Sequence, residues 1–446
     1  MYKFKEGFYT DVRIEEAYET YISYTLGKLD DSRIRRYKAA FIRVFDGSLW
    51  YYASTSDTEN IQNEIDKLYQ AARPNPDILN HPIVSSFEVH QDKKLQFEEN
   101  SVEKIPKIEK ENLLKLFFPA LNRQSDIKLL WKSIYIDARK KITLFSSKGT
   151  ELVFDTQRAG YSLRLSFSAD GKTFNDSFQF ASNNFEDLPR DEEKLKEFIR
   201  KCEDFMMNAK PVTPGKYTVI LSPLAAGVFA HESFGHKSES DFMVGDETMR
   251  KEWALGKKVG SEILSIVDSG LMPGSGFVPY DDEGTAAKET YLIKDGILTG
   301  RLHSASTAAA LEEHVTGNAR AVNFEYEPIV RMTTTYIKPG SKTFDELVSE
   351  VEDGFLIETI KHGSGLSIFT IAPSLAYRIR NGKIAEPVNI SVISGSVFET
   401  LSEIDGLSDK LEILSFITGG CGKMEQFPLP VGFGGPYVRV RNMTVQ

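Results

Sequence analysis

The chain has 446 residues, 41% hydrophobic and 26% charged, enough for roughly two or three soluble globular domains. Its 54 Lys and Arg stand against 64 Asp and Glu, a formal charge of -10, and basic clusters are as short as RIRR at 33–36, which argues against nucleic acid as a direct partner. MYKFKEGFYTDVRIEEAY has no apolar leader core, no apolar run reaches the length of about 18 residues that a membrane span needs, and two cysteines cannot form a disulfide framework, so a cytoplasmic address is expected.

In chain order, Ile14, Ala17, Tyr18, Tyr21 and Leu26 are spaced as on one helical face, which predicts a first helix over 11–30. AAFIRVFDGSLWYYAST at 39–55 places two β-type runs around Asp46-Gly47 and predicts a hairpin. TSDTENIQNEIDKLYQAAR is predicted helical, capped by Thr55 or Ser56, striped by Ile61, Ile65 and Leu68, and stopped by Pro74-Asn75-Pro76. Residues 97–125 read as polar and then helical, and 131–180 as successive strands. Over 191–210 an amphipathic helix carries Leu195, Phe198, Ile199, Cys202 and Met206 on its buried face. Pro211 and Pro214-Gly215 then set a domain boundary near 210.

Beyond that boundary β-type runs dominate: YTVILSP, ETYLIKDGILTGRL, IVRMTTTYIKPG, LAYRIRNGKIAEPVNISVISG and PYVRVRNMTVQ. Asp295-Gly296 and Asn381-Gly382 each sit between alternating apolar segments, a strong hairpin signal. Two helices interrupt this pattern, one carrying HESFGH and one near 304–314. The expected fold class is α+β: a mixed α/β N-terminal region, 1–210, open to subdivision near 97–125, and a largely antiparallel β-rich C-terminal domain, 211–446.

AHESFGH holds His231 and His236 five residues apart, with Glu232 directly after the first. Each helical residue turns by ~100°, so positions five apart point ~140° from each other and a regular helix would separate the rings. A π-type turn of about 4.4 residues would bring them back to one side, and Gly235 makes a local distortion or helix end feasible. The apolar lead-in AAGVFA implies that His231 and Glu232 are partly buried and need partners. With seven histidines in the chain, such a pair could still arise by chance.

Two imidazoles and a thiolate suit zinc, but the residues alone leave the third ligand open. Cys202 reads as a small hydrophobe on its helix. Cys421, in FITGGCGKMEQFPLPVGFGGP, has glycines on both sides and Lys423 nearby to favour thiolate, although a buried turn cysteine would look the same. GGCGK is no phosphate loop, because the required earlier glycine falls at Ile417 and Met424 follows the lysine. His303, His314 and His362 show no ligand spacing. Asp281, Asp282 and Glu283 could orient a histidine, bind a substrate amine or form a solvated turn. Arg320 and Arg331 could recognise a peptide carboxylate, brace that acidic cluster or serve in structural ion pairs.

HESFGH, YDDEGTAAKETYLIKDGILTG, TGNARA, IVRMTTTYIKPG, YRIRNGKIAEPV and GGCGK...PVGFGGPYVRVRNMTV, in this order, resemble the TldD/PmbA family, strongly over 211–446 and more weakly before it. That family carries the label of DNA gyrase modulators and comprises zinc metallopeptidases and metal-free partners. The resemblance implies one zinc per chain on His231, His236 and Cys421, with Glu232 as the catalytic carboxylate. KHGSGLSIFTIAPS at 361–374 departs from the more glycine-rich family pattern, which bears on substrate preference. Short or unfolded polypeptides are the implied substrates, and a homodimer, or a heterodimer with a family paralogue, is the implied assembly. Two other readings remain open: a non-catalytic or regulatory subunit, and a cysteine-nucleophile hydrolase using Cys421.

Overall fold

A computed structural model describes residues 2–365 and 367–446. Its N-terminal half is built on one large sheet of β1 (Tyr9–Thr25), β2 (Lys28–Phe45), β3 (Trp50–Thr55), β4 (Gln91–Lys94), β5 (Lys128–Ser146), β6 (Glu151–Ala169) and β7 (Lys172–Ser182). Their order is β3-β2-β1-β5-β6-β4, with β7 also paired to β6. The expected first helix is therefore wrong: 9–25 is the strand β1, hydrogen-bonded to β2 on one side and β5 on the other. Both of its faces are covered, and it buries Asp11, Arg13 and Glu15 along with Val12, Tyr18 and Ile22. A strand buried on both faces loses its two-residue alternation, and the remaining apolar spacing mimicked a helix.

The hairpin expected at 39–55 is present, its loop closed by Asp46 Oδ1 accepting from the backbone N–H of Ser48 and Leu49 at 2.8 and 2.9 Å. The following helix starts later than expected, at Ile61, with Asn60 rather than Thr55 or Ser56 in the cap position. Helices Lys107–Lys115 and Glu192–Asn208 pack on β5 and on β6 and β7, respectively. Cys202 lies fully buried in that core. Beneath the first of these helices, Lys110 Nζ meets Asp137 Oδ2 at 2.6 Å, with both side chains fully buried.

In the C-terminal half the strand Gly215–Leu221 runs antiparallel to Val438–Val445 and parallel to Asp353–Ile357, at the centre of a ten-stranded sheet. Ile360–Gly365 forms one edge of that sheet. A second, six-stranded sheet includes Ile266–Ser269, Thr334–Ile337 and Gly432–Gly435. Both expected Asx-Gly hairpins form, with positive φ at Asp295 and Gly296 and at Asn381 and Gly382. The fold is α+β, as expected, and no helix among the described residues is long and apolar enough to cross a membrane.

The helix Pro223–Phe229 lies between the two sheets, and its residues Ala225, Ala226 and Phe229 belong to the large C-terminal core. At Gly227 it touches the strand Gly432–Gly435 so closely that a Cβ would lie 2.5 Å from Gly434 N and 2.7 Å from Gly434 Cα. Backbone cannot yield as a flexible side chain can. Gly227→Ala is therefore expected to cost about 1–3 kcal/mol, read as a lower denaturant midpoint, and an unchanged midpoint would contradict this packing.

Candidate metal centre

Ser222 caps the buried helix, its Oγ accepting from the N–H of Ala225 at 3.3 Å and donating to the carbonyl of Glu358 at 2.8 Å. The α-helix gives way at Ala230 to a π-helical turn, Ala230–Gly235, and then to a 3-10 turn, His236–Ser238. This widening is what the five-residue spacing requires, and it brings the rings of His231 and His236 to 5.1 Å between centroids at 81°. At Gly235 a Cβ would run into Met332 Sδ, so Met332 packs directly against the turn.

The third arm arrives from 185 residues away. Cys421 begins a short hairpin, Cys421–Lys423 with Gln426–Leu429, and its Sγ lies 3.5 Å from His236 Nε2. One ligand atom from each of His231, His236 and Cys421 falls within 4.8 Å of the others. At Gly420 the chain is so close to its neighbour that a Cβ would lie 2.5 Å from Leu429 O. Arg331, fully buried, donates from Nη2 to the Cys421 carbonyl at 2.8 Å and from Nη1 to the Gln426 carbonyl at 3.3 Å. Arg320 donates from Nη1 to Met332 O at 2.6 Å and from Nη2 to Pro430 O at 2.9 Å. Neither guanidinium hydrogen-bonds the acidic cluster; both grip backbone around the site.

His236 Nδ1 is held 3.1 Å from Glu239 Oε2, which leaves Nε2 facing Cys421. Glu239 is fully buried and also meets Lys423 Nζ at 3.1 Å, while Lys423 bonds both carboxylate oxygens of Asp241 at 2.7 Å. Burial alone would raise Glu239, but His236 and Lys423 hold its carboxyl below the usual range. Burial would likewise raise the Cys421 thiol, yet His231 and His236 outweigh it and draw the pKa down to about 5. The same exchange works in reverse at His236, where burial is outweighed by Cys421 and Glu239 and the pKa rises to about 10. Nothing in the sequence marks Glu239 beyond its place three residues after His236.

These residues fit a zinc ion. His231 Nδ1 is buried with no hydrogen-bond partner among the described residues, the two imidazoles draw the Cys421 thiol down to about 5, and a carboxylate behind His236 fixes which ring nitrogen faces the centre. Two imidazoles and one thiolate leave a place for a further ligand. Glu232 stands beside them, its Oε2 3.9 Å from His236 Nε2. His231, Glu232 and Cys421 line a cavity of about 220 Å³ together with Ile360, His362 and Phe433. His362, which has no ligand spacing in the sequence, is brought here by the edge strand Ile360–Gly365.

The acidic cluster serves the fold around it. Asp281 accepts from the N–H groups of Glu283, Thr285 and Ala319 at 3.0, 2.9 and 2.9 Å. Asp282 accepts from Ala321 N at 2.7 Å and meets Arg13 at 3.5 Å. Glu283 bonds Arg43 at 2.9 Å and the N–H of Ala305 at 2.8 Å, so the cluster ties the N-terminal sheet to the C-terminal half. Burial raises the pKa of both Asp281 and Glu283. His303 is buried against Glu313 at 2.9 Å and Thr307 at 3.2 Å.

The two thiols differ in a measurable way. Burial pushes Cys202 well above the ordinary thiol range, whereas Cys421 is lowered. An acid with a lowered pKa stays ionised as pH falls until that pKa is reached. Metal-stripped protein is thus expected to show one thiolate by ultraviolet absorbance at neutral pH, lost as pH falls through about 5 and absent in Cys421→Ser. A thiolate that forms only above pH ~8, as in a free cysteine, would contradict the geometry.

Comparison with known proteins places the chain. The family model described as PmbA/TldA metallopeptidase C-terminal domain matches residues 214–446, and its domain 1 matches residues 10–73. A metalloprotease of Methanothermobacter thermautotrophicus is 30% identical over 98% of this chain and 95% of its own length. The zinc metalloprotease TldD homolog of Saccharolobus solfataricus is 34% identical over 52% of each chain. The crystal structure of TldE from Thermococcus kodakarensis shares the fold at a TM-score of 0.79 with 17% identity, covering 98% of this chain and 96% of that one. The chain belongs to the PmbA/TldD metallopeptidase family.

Proposed function

We propose that this protein is a zinc-dependent peptidase that cuts short or unfolded polypeptides, with His231, His236 and Cys421 holding the metal and Glu232 acting as general base. The observation that carries this reading is the convergence of the three donors, over a turn distorted for the purpose, beside a carboxylate in one cavity. Bound there, zinc would supply Lewis-acid chemistry, polarising an amide carbonyl and acidifying water.

The chain's own residues do the rest. Glu232, partly open to the cavity, accepts a proton from the attacking water at its carboxylate as the C–O bond forms, then delivers it to the amine nitrogen as the C–N bond breaks. Glu239 orients His236 through Nδ1, and Arg331 fixes the Cys421 backbone. Among the described residues, Ile360–Gly365 has a hydrogen-bonded neighbour on one side, Ile368–Pro373, and its first four residues line the cavity. An extended polypeptide can add to such an edge through main-chain hydrogen bonds, which a folded protein cannot offer.

One observation favours a second reading. Cys421 and His236 lie 3.5 Å apart with a lowered thiol and a raised imidazole, as in a cysteine nucleophile paired with its base. The two separate cleanly: the zinc reading requires loss of activity with a chelator and recovery with zinc, whereas a cysteine nucleophile would resist chelation. Glu232→Gln is expected to keep about one zinc per chain and lose ~10²–10⁴-fold in peptide cleavage. Cys421→Ser is expected to lose the metal. Unchanged zinc stoichiometry in Cys421→Ser would remove that residue from the site.

A further inference from the structure

On the other side of the Cys421 hairpin lies a cavity of about 330 Å³, between the face of the N-terminal sheet and the segments 275–278, 320–326 and 427–430. It shares no lining residue with the metal cavity. Four cationic and four acidic side chains line it, and most are already paired. Lys140 meets Glu15 at 3.1 Å, Arg35 meets Glu19 at 3.8 Å, and Asp282 is held by Arg13 and the N–H of Ala321. Glu325 is exposed.

Two guanidiniums have no carboxylate partner, although Arg320 also bonds the carbonyls of Met332 and Pro430. Arg320 is 7% exposed, and Arg158 on β6 has its Nη1 shut off from solvent with no hydrogen-bond partner. Neither has a carboxylate oxygen within 4.0 Å among the described residues, although every other charge of the cavity wall except Glu325 has an opposite partner. Ser275 adds a buried hydroxyl that also lacks a partner. Arg320 is buried and Arg158 partly so, a cation with no carboxylate in contact is costly there, and burial draws both guanidiniums down, Arg320 to about 10.

We propose that this cavity binds a carboxylate, held by Arg158 and Arg320 with Ser275 donating to it. A planar carboxylate accepts two parallel N–H bonds from a guanidinium. The nearby Glu15, Glu19 and Asp282 favour a single negative charge over a dianion. The carboxylate comes either from a small acid or from the C-terminus of a peptide. Its place has a consequence, because Arg320 also holds Met332, against which Gly235 packs, and Pro430, at the end of the Cys421 hairpin. A ligand on Arg320 therefore bears on both arms of the metal centre.

The test uses the full-length protein as isolated, repeated with a chelator so that an anion bound to metal is recognised, with acetate, N-acetyl-dialanine and the amide of N-acetyl-dialanine as probes in titration calorimetry. Saturable binding of the acids but not the amide is expected, weakened at least ~10-fold in Arg158→Gln. Acetate binding as well as the dipeptide assigns the site to small acids, and a clear preference for the dipeptide assigns it to chain ends. Because Arg158 Nη1 has no hydrogen-bond partner among the described residues, Arg158→Gln is also expected to melt no lower than the parent. Equal binding of acid and amide, or unchanged binding in Arg158→Gln, would overturn the proposal. Marked destabilisation by the same substitution would also overturn it, since the residue would then be structural.

Discussion

A single geometric conflict organises the site. Two histidines five residues apart cannot share a ligand from an undistorted α-helix, and a turn that widens for them gives up regular hydrogen bonding in the middle of a core. The surroundings sustain the widened turn. Small residues before it let the helix press against the strand Gly432–Gly435, Gly235 admits Met332, and the turn is closed immediately by the 3-10 segment His236–Ser238. Such a distortion persists only where packing over-determines it, and here every residue of the turn except Glu232 is buried.

The second constraint follows from the first. Once the imidazoles face the same way, the third donor must come from elsewhere, and a short two-stranded hairpin has little stability of its own. Arg331 and Arg320 supply what the hairpin lacks by binding main-chain oxygens at Cys421, Gln426 and Pro430. Lys423 then joins the hairpin to Glu239 and Asp241, and Glu239 turns back to His236. The donors are thus set by one continuous network in which cations hold backbone and carboxylates hold cations. The charged chain Glu239, His236 and Cys421 stays within a region where water is largely excluded, which strengthens each interaction in it.

Local geometry was more legible in the sequence than long-range packing. The motif around His231, the widened turn its spacing demanded, the α+β class and the three Asx-Gly hairpins could all be read from local pattern. β1 could not, because a central strand with both faces covered has no alternation to detect, and its buried Asp11, Arg13 and Glu15 make sense only beside Arg43, Asp282 and Lys140. The roles of Arg320 and Arg331 were equally hidden. Nothing near them in sequence indicates that three of their four partners are carbonyls about 90 to 110 residues away. Glu239 and His362 were missed for the same reason: one gains its meaning from Lys423 and the other from the edge of a sheet.

The central claim is that two imidazoles and one thiolate from this chain share one zinc. X-ray absorption at the zinc edge of the loaded protein tests it most directly. The account predicts a single sulfur scatterer at about 2.3 Å with two imidazole nitrogens at about 2.0–2.1 Å. A shell of nitrogen and oxygen alone would contradict it.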